Sequence, residues 1–452
     1  MIVIEGCAIA TVDAERREFA DGHIVIDGDR IAAVGAGPAP RDPEARRIDG
    51  RGCLATPGLV NCHHHLYQSA TRGLVTDGTL FEWLVALYPV WAHLDADTVA
   101  AAARGGLAAL ATSGCTTSTD HHYVFPRGGG DLLAVEIDAA RQIGLRFHPC
   151  RGAMDLGESD GGLPPDSLVE DRDAILAASE EAIDRFHDPS PGARVRIALA
   201  PTSPFSVTKE LLVETAELAR RRGVRLHTHL AETLEEEEFC LQQFGVRPLE
   251  HLDDLGWLGD DVWLAHCVHL DDAGASRMGE TGTGVAHCPT SNGRLGAGIA
   301  NVPALLAAGA PVGLGVDGPA SNEAQELILE VRAALTIARA ARGPRALSAR
   351  QALELGTLHG ARCLGREDEL GHLSVGALAD VALWRLDGDV GFAGMADPVA
   401  ALVLGSRPPL AMLMVDGEVV VADDVLQTVD EHALAADAAR TARRLLDRPG
   451  GR

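Results

Sequence analysis

Eight short apolar segments, each closing on polar residues and followed by helical spacing, constrain this chain more than any other feature. They are LVNCHHH (59–65), CTTSTDHH (115–122), LRFHPCRG (145–152), VRIALAPTS (195–203), VRLHTHLAE (224–232), VWLAHCVHL (262–270), GVAHCPTSN (284–292) and PVGLGVDG (311–318). Eight strand–helix units in a row predict an α/β fold built on a closed parallel (β/α)8 TIM barrel. A doubly wound open sheet also alternates, but it gathers polar residues at one crevice. Here nearly every segment ends in them, as in barrel enzymes, whose chemistry sits at the carboxyl ends of the strands.

The flanks read differently. Residues 1–56 hold short strands with a turn at Asp27-Gly28-Asp29, and 372–384 and 413–420 look the same. The expectation is a small β-sandwich domain made from both termini, 1–56 plus 366–430, around a barrel at 57–365. A helical tail follows at 431–452.

Composition narrows the function classes. The net charge of −26 disfavours nucleic acid as a partner, because like charges repel. The amino terminus lacks a basic region, and no run of about 18 apolar residues occurs, so no membrane segment is expected. Nine scattered cysteines without a CxxC pair point to reduced thiols and a cytoplasmic setting. Lys209 is the only lysine.

The triplet His63-His64-His65 raises the chemical question. On a strand, successive side chains alternate, so His63 and His65 share a face and His64 turns away. Two imidazoles at i and i+2 on an inward face suit a borderline metal such as zinc. One such pair alone is weak. The chain adds His227, His229 and Glu232 at the fifth segment, His266 and His269 at the sixth, and Asp317 at the eighth. Convergence of these residues on one rim is a functional pattern rather than a packing one. A catalytically dead barrel serving as an interaction protein would require loss of some of them, and none is lost.

PGLVNCHHH, HTHLAE, LAHC and GVDG, with the later stretch GTLHGARCLGREDELGHLSVGALAD, resemble the amidohydrolase superfamily over essentially the whole chain. The resemblance implies that His63, His65, His229 and Asp317 hold one metal, and that Glu232, His266 and Asp317 are catalytic. Zinc, one per subunit, is the expected ion, with iron or manganese as substitutes. Such an ion keeps a position for water and lowers that water's pKa towards ~7. Many relatives carry a bridging lysine on the fourth strand. VRIALAPTS has none, which gives a single-metal site of the nucleobase-deaminase type. Asp317 would then accept a proton, Glu232 would donate one to a ring nitrogen, and His266 would stabilise developing charge.

The segments HHHLYQSATRG, LFEWLVALYPVW, TTSTDHHYVFPRG and RGAMDLGESDGGLPPDS resemble the branch acting on oxidised purines, with triazine hydrolases as neighbours. This implies ammonia release from a small heterocycle, 8-oxoguanine giving urate, with isoxanthopterin, guanine or s-triazines as alternatives. It also implies a homo-oligomer. Gln68 and Arg151 could read the ring's polar edges, and Trp91, with Trp83, could stack on its face. The Gly- and Pro-rich stretch 152–167 could be a lid or a plain connection, and the run Glu235–Glu238 reads as a solvated helix start. Pro319 and Glu323 depart from the pattern after Asp317-Gly318.

Overall fold

The computed structural model describes residues 1–448. The barrel strands are Leu59–Asn61, Cys115–His122, Arg146–Ala153, Ala198–Pro201, Arg225–Leu230, Val262–His266, Gly284–His287 and Val312–Leu314. All neighbouring pairs are parallel, and the eighth closes on the first through Leu314 and Asn61. Their residues are buried, apart from the partly exposed Arg225, as expected when helices cover the outside and side chains fill the interior. Several helices are fixed by side-chain caps. Thr79 and Glu82 form a reciprocal capping box at Leu80–Trp91, and Asp95 caps Ala96–Thr112.

The two ends of the chain meet in a separate mixed sheet, so the expected sandwich takes the form of nine connected strands. Cys53–Pro57 sits in its middle, parallel to Ile2–Ala10 on one side and antiparallel to Val381–Arg385 on the other. It runs directly into the first barrel strand, which fixes the sheet against the barrel. Trp384 seals this junction. Its indole N–H donates to Thr56 Oγ1 at 2.9 Å. A Cβ on Gly114, whose φ is +87°, would lie 2.2 Å from its ring, so only glycine fits there.

A helix at Glu431–Leu446 packs along Ala96–Thr112, where Arg104 pairs with Asp437 at 2.6 Å and Arg444 with Asp95 at 2.9 Å. The last four positions of the expected 431–452 tail, 449–452, lie outside the described residues. No helix among the described residues is long and apolar enough to cross a membrane.

Candidate metal and catalytic site

The hydrogen-bond partners of the rim histidines determine where their lone pairs point. His65 Nδ1 faces the His121 carbonyl at 2.7 Å, and His229 Nδ1 faces the Thr202 carbonyl at 2.6 Å, so both Nδ1 atoms carry the hydrogen and donate. His227 Nδ1 likewise donates to the Trp263 carbonyl at 2.8 Å. Its Nε2 is therefore an acceptor, and takes the hydrogen of His63 Nδ1 at 2.8 Å. Each of His63, His65 and His229 is left with a bare lone pair on Nε2.

Those lone pairs converge. His65 Nε2 lies 3.1 Å from His229 Nε2, and Asp317 Oδ1 lies 3.3 Å from His63 Nε2 and 3.4 Å from His65 Nε2. Burial holds the three imidazoles below their usual range and hence neutral. Asp317 is held well below the usual carboxylate range: burial opposes its charge, but the imidazoles that face it, His266 among them, outweigh that cost. Four acceptors with no proton among them repel one another, and a cation at their centre removes the repulsion. The donor set fits a divalent ion, and the two carbonyls and the His227 nitrogen behind it fix each ring as metal ligands require.

The turns that aim these groups are strained. His266 and Asp317 adopt φ of +70° and +62°, and Ala231 and Cys267 both adopt +49°. Left-handed backbone at non-glycine residues costs on the order of 1–3 kcal/mol each and persists where the surroundings enforce it. Asp317 is enforced by Ser291 Oγ, which donates to Oδ2 at 2.6 Å, and by the Gly318 N–H, which donates to Oδ1 at 2.8 Å.

Glu232 and His266 form a second, linked pair, with Oε2 and Nε2 3.4 Å apart. Burial pushes Glu232 up to about 7, with Asp317 adding to the rise and His266 opposing it. Burial also opposes a charge on His266, but Glu232 and Asp317 outweigh it and raise its pKa. His266 Nδ1 donates to Asn292 Oδ1 at 2.9 Å, which turns Nε2 towards the carboxylates.

A pocket of about 430 Å³, counted to its open mouth, rises from these groups. His65, His229, Glu232, His266 and Asp317 form its floor; Leu80, Trp83, Leu84, Tyr88, Tyr123, Phe205 and Leu295 give largely apolar walls. Gln68 also lines it. Its Oε1 has no hydrogen-bond partner among the described residues, and a Cβ on Gly318 would lie 1.7 Å from that atom.

Other residues singled out in the sequence lie elsewhere. Arg151 does not line the pocket; it pairs with Glu170 at 2.7 Å and lies 3.7 Å over the Phe125 ring. Trp91 is fully buried behind the pocket wall, donating its indole N–H to Thr71 Oγ1 at 3.1 Å, while Trp83 reaches the pocket instead. His64 is buried with both ring nitrogens unbonded among the described residues, facing away from the cage as alternation requires. The stretch 152–167 is tied down: Leu156 N–H donates to Ser206 O, Leu163 N–H to Phe205 O, and Asp155 accepts from Thr208 N–H at 2.7 Å. Glu323 pairs with Arg294 at 2.9 Å. The solvated reading of Glu235–Glu238 fails at Glu236, which is buried and accepts the N–H groups of Ala231 at 2.7 Å and Glu232 at 3.0 Å. It holds the turn that presents Glu232.

Sequence reasoning gave no role to His227 and passed over His121, Ser291 and Asn292. The only signal for His121 was its place at a strand end in DHH. It donates Nε2–H to the Ala200 carbonyl at 2.8 Å and groups with His63, His65 and His229.

Known proteins similar to this chain in sequence and fold are numerous. The 8-oxoguanine deaminase of Pseudomonas aeruginosa is 47% identical over 95% of each chain. An isoxanthopterin deaminase from an unknown prokaryotic organism is 40% identical over 94% of this chain and 92% of its own. The crystal structure of an atrazine chlorohydrolase from Arthrobacter aurescens TC1 complexed with zinc superposes with a TM-score of 0.93 at 35% identity, covering 98% of this chain and 100% of its own. Residues 54–420 match the amidohydrolase family, and with relatives of this similarity along nearly its full length the chain belongs to that family.

Proposed function

We propose that the protein is a divalent-metal aminohydrolase that releases ammonia from 8-oxoguanine to give urate. The observation that carries this reading is the acceptor cage beside the Glu232–His266 pair, at the floor of an apolar slot suited to a flat ring. His63, His65, His229 and Asp317 would hold one ion, with zinc favoured by the zinc complex of the atrazine chlorohydrolase relative and iron or manganese compatible with the same donors. When bound, the ion supplies an activated water.

The chain's own groups handle the protons. Asp317 accepts the proton that the attacking water gives up. Glu232, lifted to about 7, holds a proton near neutrality and passes it to a ring nitrogen, which makes the adjacent amino-bearing carbon electrophilic. His266 stabilises charge on the attacking oxygen. The proton taken by Asp317 leaves on the amine and the one left on the attacking oxygen returns to Glu232, so one water is consumed and one ammonia departs. Gln68 reads a polar edge of the ring, with Trp83 and Tyr88 among the walls. Arg151 and Trp91 support the wall from behind.

All nine cysteines are buried and unbridged, which supports a reducing, cytoplasmic setting. A homo-oligomer belongs to the same proposal, and sedimentation tests it. Activity is tested by ammonia release from the zinc-loaded protein with 8-oxoguanine, guanine, isoxanthopterin and aminotriazines. A kcat/KM for 8-oxoguanine about 100-fold above the others supports the proposal. Preference for a pterin, or chloride or alkylamine release from a triazine, moves the protein to a neighbouring substrate class with the same machinery.

A further inference from the structure

The opposite mouth of the barrel, at the amino ends of the strands, contains a cavity of about 510 Å³, counted to its opening, lined in part by His148, His187, Arg196 and Arg225. Nothing in the proposed reaction uses it. In a chain with a net charge of −26, the ionisable groups lining this cavity are all basic.

The cations are undercompensated. Arg225 donates from Nε to the Cys363 carbonyl at 3.1 Å and from Nη2 to the Asp260 carbonyl, yet pairs with no carboxylate among the described residues. Glu367, Asp261 and Asp260 act on it only through space, and Asp261 is engaged by Arg220 at 2.8 Å. Arg196 shares the single carboxylate of Glu369, at 3.3 Å, with the buried Arg366, whose Nε donates to the same oxygen at 2.6 Å. Arg196 and Arg366 thus share one carboxylate, and Arg225 has none in contact among the described residues. Leaving buried charge unpaired is costly unless a counterion enters.

Neutral donors point to the same ligand. His148 is 2% exposed, and neither ring nitrogen has a hydrogen-bond partner among the described residues. Burial first, then the charges of Arg366, Arg196 and Arg225, hold His148 well below its usual range, so it is neutral with one N–H to give. His187 Nδ1 accepts the Ile197 N–H at 3.1 Å, which leaves its hydrogen on Nε2.

We propose that this cavity is an anion site for a small tetrahedral oxyanion of the phosphate class, held by Arg225 and Arg196 with hydrogen bonds from His148 and His187. Two lining guanidiniums favour a doubly charged anion, and their forks suit phosphate oxygens. The ligand is either free phosphate or the phosphate of a small ester, since both present the same oxygens.

Isothermal titration of the zinc-loaded protein with inorganic phosphate, against chloride at matched ionic strength, tests the site. Saturable binding of about one phosphate per chain is expected, weakened at least about 10-fold in Arg225→Gln and in Arg196→Gln, since one lost guanidinium contact is worth that much. Arg196→Gln remains decisive if Arg225→Gln fails to fold. Ribose 5-phosphate, which lacks a base for the catalytic pocket, separates the sources. Binding tighter than phosphate assigns an ester, and weaker or equal binding assigns the free ion. Absence of saturable phosphate binding overturns the proposal, as does wild-type affinity in a folded variant.

Discussion

The two mouths of this barrel are chemical opposites. At the carboxyl ends of the strands, three imidazole lone pairs and a carboxylate crowd together with no hydrogen to share. At the amino ends, guanidinium groups and imidazole N–H groups collect with one carboxylate among the three guanidiniums. One end is short of positive charge and the other of negative charge. The first deficit is fully buried and the second half-buried, so water cancels neither completely. A charged cluster in a barrel is thus best read by counting hydrogens and counterions, because the count gives the sign of the missing ligand.

The comparison breaks most visibly at Asp317. Asp317→Ala removes the carboxylate of the cage, and is expected to abolish tight zinc retention and lower turnover by about 10³-fold or more, measured by metal analysis beside the ammonia assay. Glu232→Gln separates proton transfer from metal binding. Zinc content should stay near wild type while kcat falls by roughly 10²–10⁴-fold; normal turnover would remove Glu232 from its assigned role. His227→Leu deletes the acceptor that fixes the tautomer of His63. Zinc affinity in a chelator competition should drop about 10–100-fold, with phosphate binding at the far mouth unchanged.

Smaller effects sharpen the picture. Gly318→Ala drives a methyl into Gln68, so KM should rise about 10-fold with kcat nearly kept, and an unchanged KM would exclude Gln68 from ring recognition. The last prediction is thermodynamic. Glu232 is raised from an ordinary 4.5 to about 7, chiefly by burial, so the folded metal-free protein keeps a proton that the unfolded chain has lost. The stability of metal-free wild type relative to metal-free Glu232→Gln should fall as pH rises from about 4.5 to about 7, then level off. Urea unfolding in chelator across that range reads it, and a difference independent of pH contradicts the burial argument.

Much of the architecture was legible because strand and helix alternation depends on local pattern alone. The eight segments announced the barrel, and strand alternation separated His63 and His65 from His64. The strands were read too long in places: the fourth and eighth span only Ala198–Pro201 and Val312–Leu314. Residues acting through another residue were not legible. Glu236 looked like one of four solvated acids, and only the fold brings it beneath Ala231 and Glu232. Arg151 and Trp91 had the chemistry for a substrate pocket, but Glu170 and Thr71 hold them behind it. The lower mouth was invisible in sequence, because Arg196, Arg225 and Arg366 come from three distant segments.

The completion of both sheets also sets the order in which a ribosome can finish this molecule. Cys53–Pro57 pairs with Val381–Arg385, about 320 residues later, a gap of roughly 15–65 s at ordinary elongation rates. The first barrel strand waits almost as long for the eighth. Until then the amino-terminal third of the nascent chain carries open strand edges, and contacts this distant in sequence make folding slow. Nascent chains cut before residue 381 should therefore depend on chaperones, and the final stretch of synthesis should release that dependence.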